Sequence, residues 1–115
     1  MDISVVIPLF NEEESLKELC EWIVRIMNEK RFSYEIILID DGSRDRSWEI
    51  LERLGQENDN IKSIRFRRNY GKSAALNEGF KAAKGNVIIT MTPTFRTVLM
   101  KFLNFIHLLN PAVMI

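Results

Sequence analysis

The residues best placed to do chemistry lie in Asp40-Asp41-Gly42-Ser43-Arg44-Asp45, where two adjacent carboxylates precede a glycine. Successive strand side chains point to opposite faces, so one carboxylate should turn toward the sheet edge and the other into the crevice. A carboxylate there accepts hydrogen bonds from a pyrimidine ring N–H or from ribose hydroxyls. Turn formation accounts for Gly42 and capping for Ser43 and Asp45; neither requires the pair. A second candidate is Pro8-Leu9-Phe10-Asn11-Glu12-Glu13. Phe10 could offer an aromatic face to a base, and Asn11 could touch a ribose. The plain alternative is a turn in which Asn11 caps a helix and Glu12 to Glu14 complement its dipole. The third is Gly71-Lys72-Ser73. A phosphate loop needs glycine five residues before Gly71, and Phe66 stands there, so the full motif is rejected. Lys72 and the amides of a helix start still suit a diphosphate. Otherwise Arg65, Arg67, Arg68 and Lys72 form a solvated basic edge.

The pattern around these residues alternates between two periods. Ile3 to Ile7 is a β-branched run stopped by Pro8, which predicts a buried strand. Asn11 with Glu14 approximates a capping box. Leu16, Leu19, Cys20, Ile23, Ile26 and Met27 then recur at helical spacing, predicting a helix to about Glu29. Tyr34 to Ile39 predicts a second strand, and Asp45 can cap a helix with Trp48, Leu51 and Leu54 inside. Ile61 to Phe66 predicts a third strand, followed by a basic loop from Arg67 to Lys72. Ala74, Ala75, Leu76, Gly79, Phe80 and Ala83 make a helix closed by Gly85, and Val87 to Met91 a fourth strand. This alternation implies a parallel sheet with right-handed crossovers. Ligands of such sheets sit beyond the carboxyl ends of the strands, here Pro8 to Glu12, Asp40 to Asp45, Arg67 to Lys72, and Thr92 to Thr94.

The 115 residues fit one small domain, with 16 Lys+Arg against 16 Asp+Glu. Zero net charge removes the simplest argument for a nucleic-acid or polybasic membrane partner. Cys20 is the single cysteine, which excludes an internal disulfide and any multi-cysteine zinc site. His107 has no Cys, Asp or Glu near it in sequence. No secretory signal is visible at the start, so the expected location is cytoplasmic, extending to the inner face of the membrane. Every acidic residue lies at or before Glu78. From Thr92 the texture changes to Thr, Phe, Leu, Met and Asn, dividing the chain into 1–91 and 92–115.

Taken in order, these motifs resemble the N-terminal half of an inverting family 2 glycosyltransferase of GT-A fold. The resemblance runs from Ile3 to Met91. It rests on Ser4-Val5-Val6-Ile7-Pro8 with Asn11-Glu12, then Ile39-Asp40-Asp41-Gly42-Ser43 with Asp45. Asn69-Tyr70-Gly71-Lys72-Ser73-Ala74-Ala75-Leu76-Asn77 with Gly79, Ala83 and Gly85 completes it. The third block is similar to the branch that transfers sugars to polyprenyl phosphates, like dolichyl-phosphate mannose synthases. The likeness implies a Rossmann-like, three-layer α/β half of the GT-A fold with parallel strand order 3-2-1-4. It implies a nucleoside diphosphate sugar as partner, bound by Pro8, Phe10, Asn11, Glu12, Asp40, Asp41, Gly71 and Lys72. Asp41 would meet the base, and Gly71-Lys72 would lie near the nucleoside or diphosphate. The family next carries a D-x-D motif whose carboxylates bind Mg²⁺ or Mn²⁺. Thr92-Pro93-Thr94 stands in its place. The resemblance therefore implies no metal ligand, no cofactor and no catalytic residue in this chain, and an inactive fragment.

Two other functions compete with that expectation: a non-enzymatic nucleotide-binding module, and a membrane- or partner-binding protein acting through its tail. Val98 to Ile115 is apolar but interrupted by Lys101, Asn104, His107, Asn110 and Pro111. That falls short of the roughly 20 clean residues of a spanning helix. An interfacial helix would still give peripheral membrane association. A single-base frameshift also accounts for the tail. Thr92-Pro93-Thr94-Phe95-Arg96 can be encoded ACG CCG ACC TTC AGG. One G restored before it gives GAC GCC GAC CTT CAG, which reads Asp-Ala-Asp-Leu-Gln, a D-x-D motif where the family has one.

Overall fold

The computed structural model describes residues 1–93. Of the segment 92–115 for which a frameshift is expected, only Thr92 and Pro93 are described, and the interfacial helix expected within Val98 to Ile115 lies outside the described residues. The elements are β1 (Ile3–Leu9), α1 (Leu16–Glu29), β2 (Tyr34–Asp40), α2 (Ser47–Glu57), β3 (Ile61–Arg65), α3 (Lys72–Ala82) and β4 (Val87–Thr90). All pairings are parallel, and the sheet order is β3-β2-β1-β4. The expected fold and strand order are both present.

The two central strands explain the layering. β1 and β2 are buried along their whole lengths, as strands covered on both faces must be. Ile3, Val5, Ile7, Ile36 and Leu38 face α1 and α2, packing with Leu16, Leu19, Ile23, Met27 and Leu51. Val6, Ile37 and Ile39 face the other way, onto α3 through Ala75. Each such aliphatic side chain contributes about 1.5–3 kcal/mol through burial. The α3 contact is close: a Cβ on Gly79 would run into Val6 Cγ1 and lie 2.9 Å from Ile39 Cδ1. Cys20 is part of the α1 core, and burial, then Glu21, pushes its thiol pKa up to about 12. It is a packing residue.

Two local expectations are corrected. Pro8 does not stop β1, which continues to Leu9 with Pro8 opposite Ile39. The β4 ladder ends there instead: its last backbone bond runs from Met91 N–H to the Val6 carbonyl, and Pro8 has no N–H with which to extend it. Asn11 does not cap α1, which starts at Leu16 with Ser15 as its N-cap. The residues between them form a separate turn, tied to the next loop.

Glu35 carries a feature that periodicity does not announce. It is fully buried in β2, at the amino end of the sheet. Its Oε2 accepts from the Ser4 hydroxyl at 2.6 Å and the Lys84 amide at 2.6 Å, and its Oε1 from Lys62 Nζ at 2.7 Å. The Gly85 amide donates to Ser4 Oγ at 2.8 Å. Burial alone would raise the Glu35 pKa. The bonds from Lys62, Ser4 and Lys84 outweigh it and hold the carboxyl below its ordinary 4.5. One carboxylate thus joins β1, β2, β3 and the turn after α3.

Candidate functional site

At the opposite end of the sheet, the loop after β1 and the loop after β2 are stitched together. Asn11 adopts φ 53°, a left-handed conformation that asparagine tolerates. Its amide donates to Ser43 Oγ at 2.8 Å, and its Oδ1 accepts from the Arg44 amide at 2.9 Å. The Glu12 amide donates to Ser47 Oγ at 3.0 Å and the Glu13 amide to Asp45 Oδ2 at 3.2 Å. Asp45 Oδ1 accepts from the Ser47 amide at 2.9 Å. Burial would raise the Asp45 pKa, but the bonds from Ser47 and Glu13 lower it, so it stays ionised between the loops.

The adjacent carboxylates part as strand alternation requires. Asp40 turns to the α1/α2 side, where it is fully buried. Its Oδ1 accepts from the Ser43 amide at 2.8 Å, and its Oδ2 has no hydrogen-bond partner among the described residues. Asp41 turns toward α3. Its Oδ1 accepts from the Tyr70 amide at 2.8 Å and its Oδ2 from the Gly71 amide at 3.1 Å. Asp41 therefore holds the loop before α3 and sets a negative charge at the start of that helix, where it is favourable. Two amides at this helix start are directed at Asp41 rather than offered to a diphosphate.

Gly42 makes this crossing possible. It has φ +77°, and a Cβ there would lie 2.5 Å from Asn69 N and 2.8 Å from Arg68 Cα. The backbone of residues 68–69 thus passes directly over Gly42. Gly71, at φ +102°, faces open space, so only its backbone conformation requires glycine.

Beside Asp41 is a cavity of about 220 Å³ lined by Pro8, Leu9, Phe10, Glu12, Asp41, Lys72, Thr92 and Pro93. It brings together five of the eight residues expected from the sequence: Pro8, Phe10, Glu12, Asp41 and Lys72. Asn11, Asp40 and Gly71 do not line it. Asn11 and Asp40 brace the loops behind it, and Gly71 supplies the turn into α3. Leu9 lines the cavity although β-strand patterning marks it only as core. Chemically, the cavity offers an acceptor in Asp41, a cation in Lys72 and an aromatic ring in Phe10, which is 43% exposed. A carboxylate has about four acceptor directions, so Asp41 retains capacity after binding the two amides.

The described residues do not gather a site for a divalent ion. No group of three or more His, Cys, Asp or Glu side chains is arranged to hold a metal among the described residues. The end of β4 presents Thr92-Pro93, without a carboxylate. A larger groove of about 690 Å³, lined by Cys20, Val24, Leu54 and Ile61 among others, opens between α1 and α2. It lies at the amino ends of the strands, away from the convergent polar groups. No helix among the described residues is long and apolar enough to cross a membrane.

Comparison with known proteins agrees with this arrangement. An undecaprenyl-phosphate 4-deoxy-4-formamido-L-arabinose transferase of Pseudomonas fluorescens (strain SBW25) is 43% identical over 90 residues, 77% of this chain and 26% of that protein. An uncharacterised glycosyltransferase of Synechocystis is 37% identical over 89 residues, covering 77% of this chain and 28% of its own. The chain thus spans about a quarter of the length of the curated relatives it matches. S. aureus TarS 1-349 superposes with a TM-score of 0.69 at 23% identity, covering 92% of this chain and 32% of that one. The mannosyltransferase PcManGT of Pyrobaculum calidifontis, solved with GDP-Man and Mn²⁺, gives 0.72 at 17% identity over 90% of this chain and 32% of its own. These two likenesses establish the GT-A fold. The family model for glycosyl transferase family 2 matches residues 4–93, the stretch that builds the sheet, the stitched loops and the Asp41 crossing, and the chain belongs to that family.

Proposed function

We propose that residues 1–91 form the nucleotide-sugar-binding half of a glycosyltransferase that uses a polyprenyl phosphate acceptor. The observation that carries this reading is Asp41, fixed by two backbone amides beside a cavity that also holds Phe10 and Lys72. In this reading Asp41 accepts a hydrogen bond from the base and Phe10 lies against it. Glu12 and Asn11 serve the ribose side, with Asn11 acting through the loop it braces. Lys72 faces the diphosphate; Asp40 and Gly71 keep the two loops in register. The relatives named for undecaprenyl phosphate support the acceptor class, and the structure of TarS in complex with UDP supports the donor class. The fragment is inactive on its own, because Thr92-Pro93 supplies no metal ligands. Residues 92–115 are the product of a reading-frame shift, and the chain works at the cytoplasmic face of the membrane.

Titration of UDP and GDP against the full chain tests the site. Binding is expected, weakened on the order of 10- to 100-fold by Asp41→Ala, as loss of a charged hydrogen bond implies. No sugar transfer is expected with or without Mn²⁺. Equal affinity in the two proteins would remove Asp41 from the site.

A further inference from the structure

The two edges of the sheet are unlike. β3 carries Lys62 and Arg65, both exposed, the kind of charge that keeps one sheet edge from pairing with another. β4, Val87-Ile88-Ile89-Thr90, has no charge and no proline, and it pairs only with β1 among the described residues. The amides of Val87 and Met91 donate toward β1, to the carbonyls of Asp2 and Val6. Backbone groups of successive strand residues point to opposite edges, so Ile88 and Thr90 present their N–H and C=O groups outward. Each of these groups needs a partner. The side chains of the same two residues are also uncovered. Thr90 lies opposite Val6, which faces α3, but α3 packs over β1 and β2. Ile88 and Thr90 are therefore exposed on that face, Ile88 by 42%.

We propose that the β4 edge binds a second copy of this chain, antiparallel, joining the two sheets into one through a two-fold axis at Ile89. That register sets Ile88 opposite Thr90 of the second copy, and Thr90 opposite its Ile88. Both are hydrogen-bonded pairs, in which the two residues exchange both bonds, so every outward group of Ile88 and Thr90 is satisfied. Charge selects the same orientation. Lys84 is exposed just before the amino end of β4, while Glu12 lines the cavity with Thr92 and Pro93 at the carboxyl end. Antiparallel pairing carries Lys84 of each copy to the Glu12 end of the other. Parallel pairing would set the two lysines side by side. The dimer is closed, because both β4 edges are used and the outermost strands are the charged β3 of each copy. Two strands this short bury less than the standard interface of about 1,600 Å², so the dimer is weak and reversible. It stands whether or not the cavity binds a nucleotide.

The test is sedimentation velocity of the full chain on serial dilution, where a reversible monomer–dimer equilibrium is expected. Ile88→Lys/Thr90→Lys sets like charges opposite each other on both sides of the axis and should weaken dimerisation about 10-fold. Ile88→Glu/Thr90→Glu should do the same. Both positions are exposed, and circular dichroism checks that the variants fold. Mixing the two variants places lysine opposite glutamate in every pair, and dimerisation should return to at least the strength of the parent. Three results would each overturn the proposal. The parent could stay monomeric at millimolar concentration, as it would if the segment after Pro93 covered the edge. Dimerisation could be unchanged in both variants, or the mixture could associate no better than either variant alone.

Discussion

Replacing Glu35 with alanine is expected to destabilise the protein by about 3 kcal/mol, because breaking a buried ionic network leaves its partners unsatisfied. Lys62 contributes little to that figure, being 44% exposed and able to turn to water. The loss comes from the Ser4 hydroxyl and the Lys84 amide, whose hydrogen bonds to Glu35 Oε2 disappear. The same carboxylate sets a pH dependence. Its pKa in the folded protein lies below the ordinary 4.5, so its stabilisation is present above 4.5 and is lost as pH falls through the folded value. Urea unfolding across this range should show the parent losing stability toward acid. Glu35→Gln, which cannot ionise, should show a flatter profile. Parallel profiles for the two proteins would mean that Glu35 is not held ionised by these bonds.

Gly42→Ala is expected to cost about 4 kcal/mol and to abolish nucleotide binding. Its φ of +77° imposes strain of about 1–3 kcal/mol on any other residue. The added Cβ must also displace the backbone of Arg68 and Asn69, a cost of the order of 1–3 kcal/mol seen for overpacked sites. Gly71→Ala is the control. Gly71 has φ +102° but open space around it, so its variant carries strain alone. Thermal or urea unfolding of the two variants separates the effects. Equal destabilisation would show that the crossing over Gly42 is not a tight contact.

Much of the fold was legible because it rests on periodicity. The β-branched runs at Ile3 and Tyr34 and the 3.6-residue spacing from Leu16 to Met27 report burial directly, and short crossovers leave few sheet orders. The departures concern polar groups that pair across distance. Asn11 followed by Glu14 has the spacing of a helix cap, yet Asn11 bonds Ser43 and Arg44 on the next loop. No local pattern distinguishes those two uses of one side chain. Asp40 and Asp41 were legible as a pair with divided duties. That Asp41 binds the Tyr70 and Gly71 amides depends on a loop about thirty residues later crossing Gly42. Glu35 was hidden for the same reason. A glutamate inside an apolar strand reads as an outward-facing residue until Ser4, Lys62 and Lys84 are brought around it.

The most direct test of the site is an amide NMR titration of the full, isotope-labelled chain with UDP. Resonances of Phe10, Glu12, Tyr70, Gly71 and Lys72 should shift together and saturate with one affinity, while those of Glu35, Lys84 and Gly85 stay in place. Shifts confined to the groove around Cys20, Val24 and Leu54, or no shifts at high nucleotide concentration, would contradict a nucleotide site at the carboxyl ends of these strands.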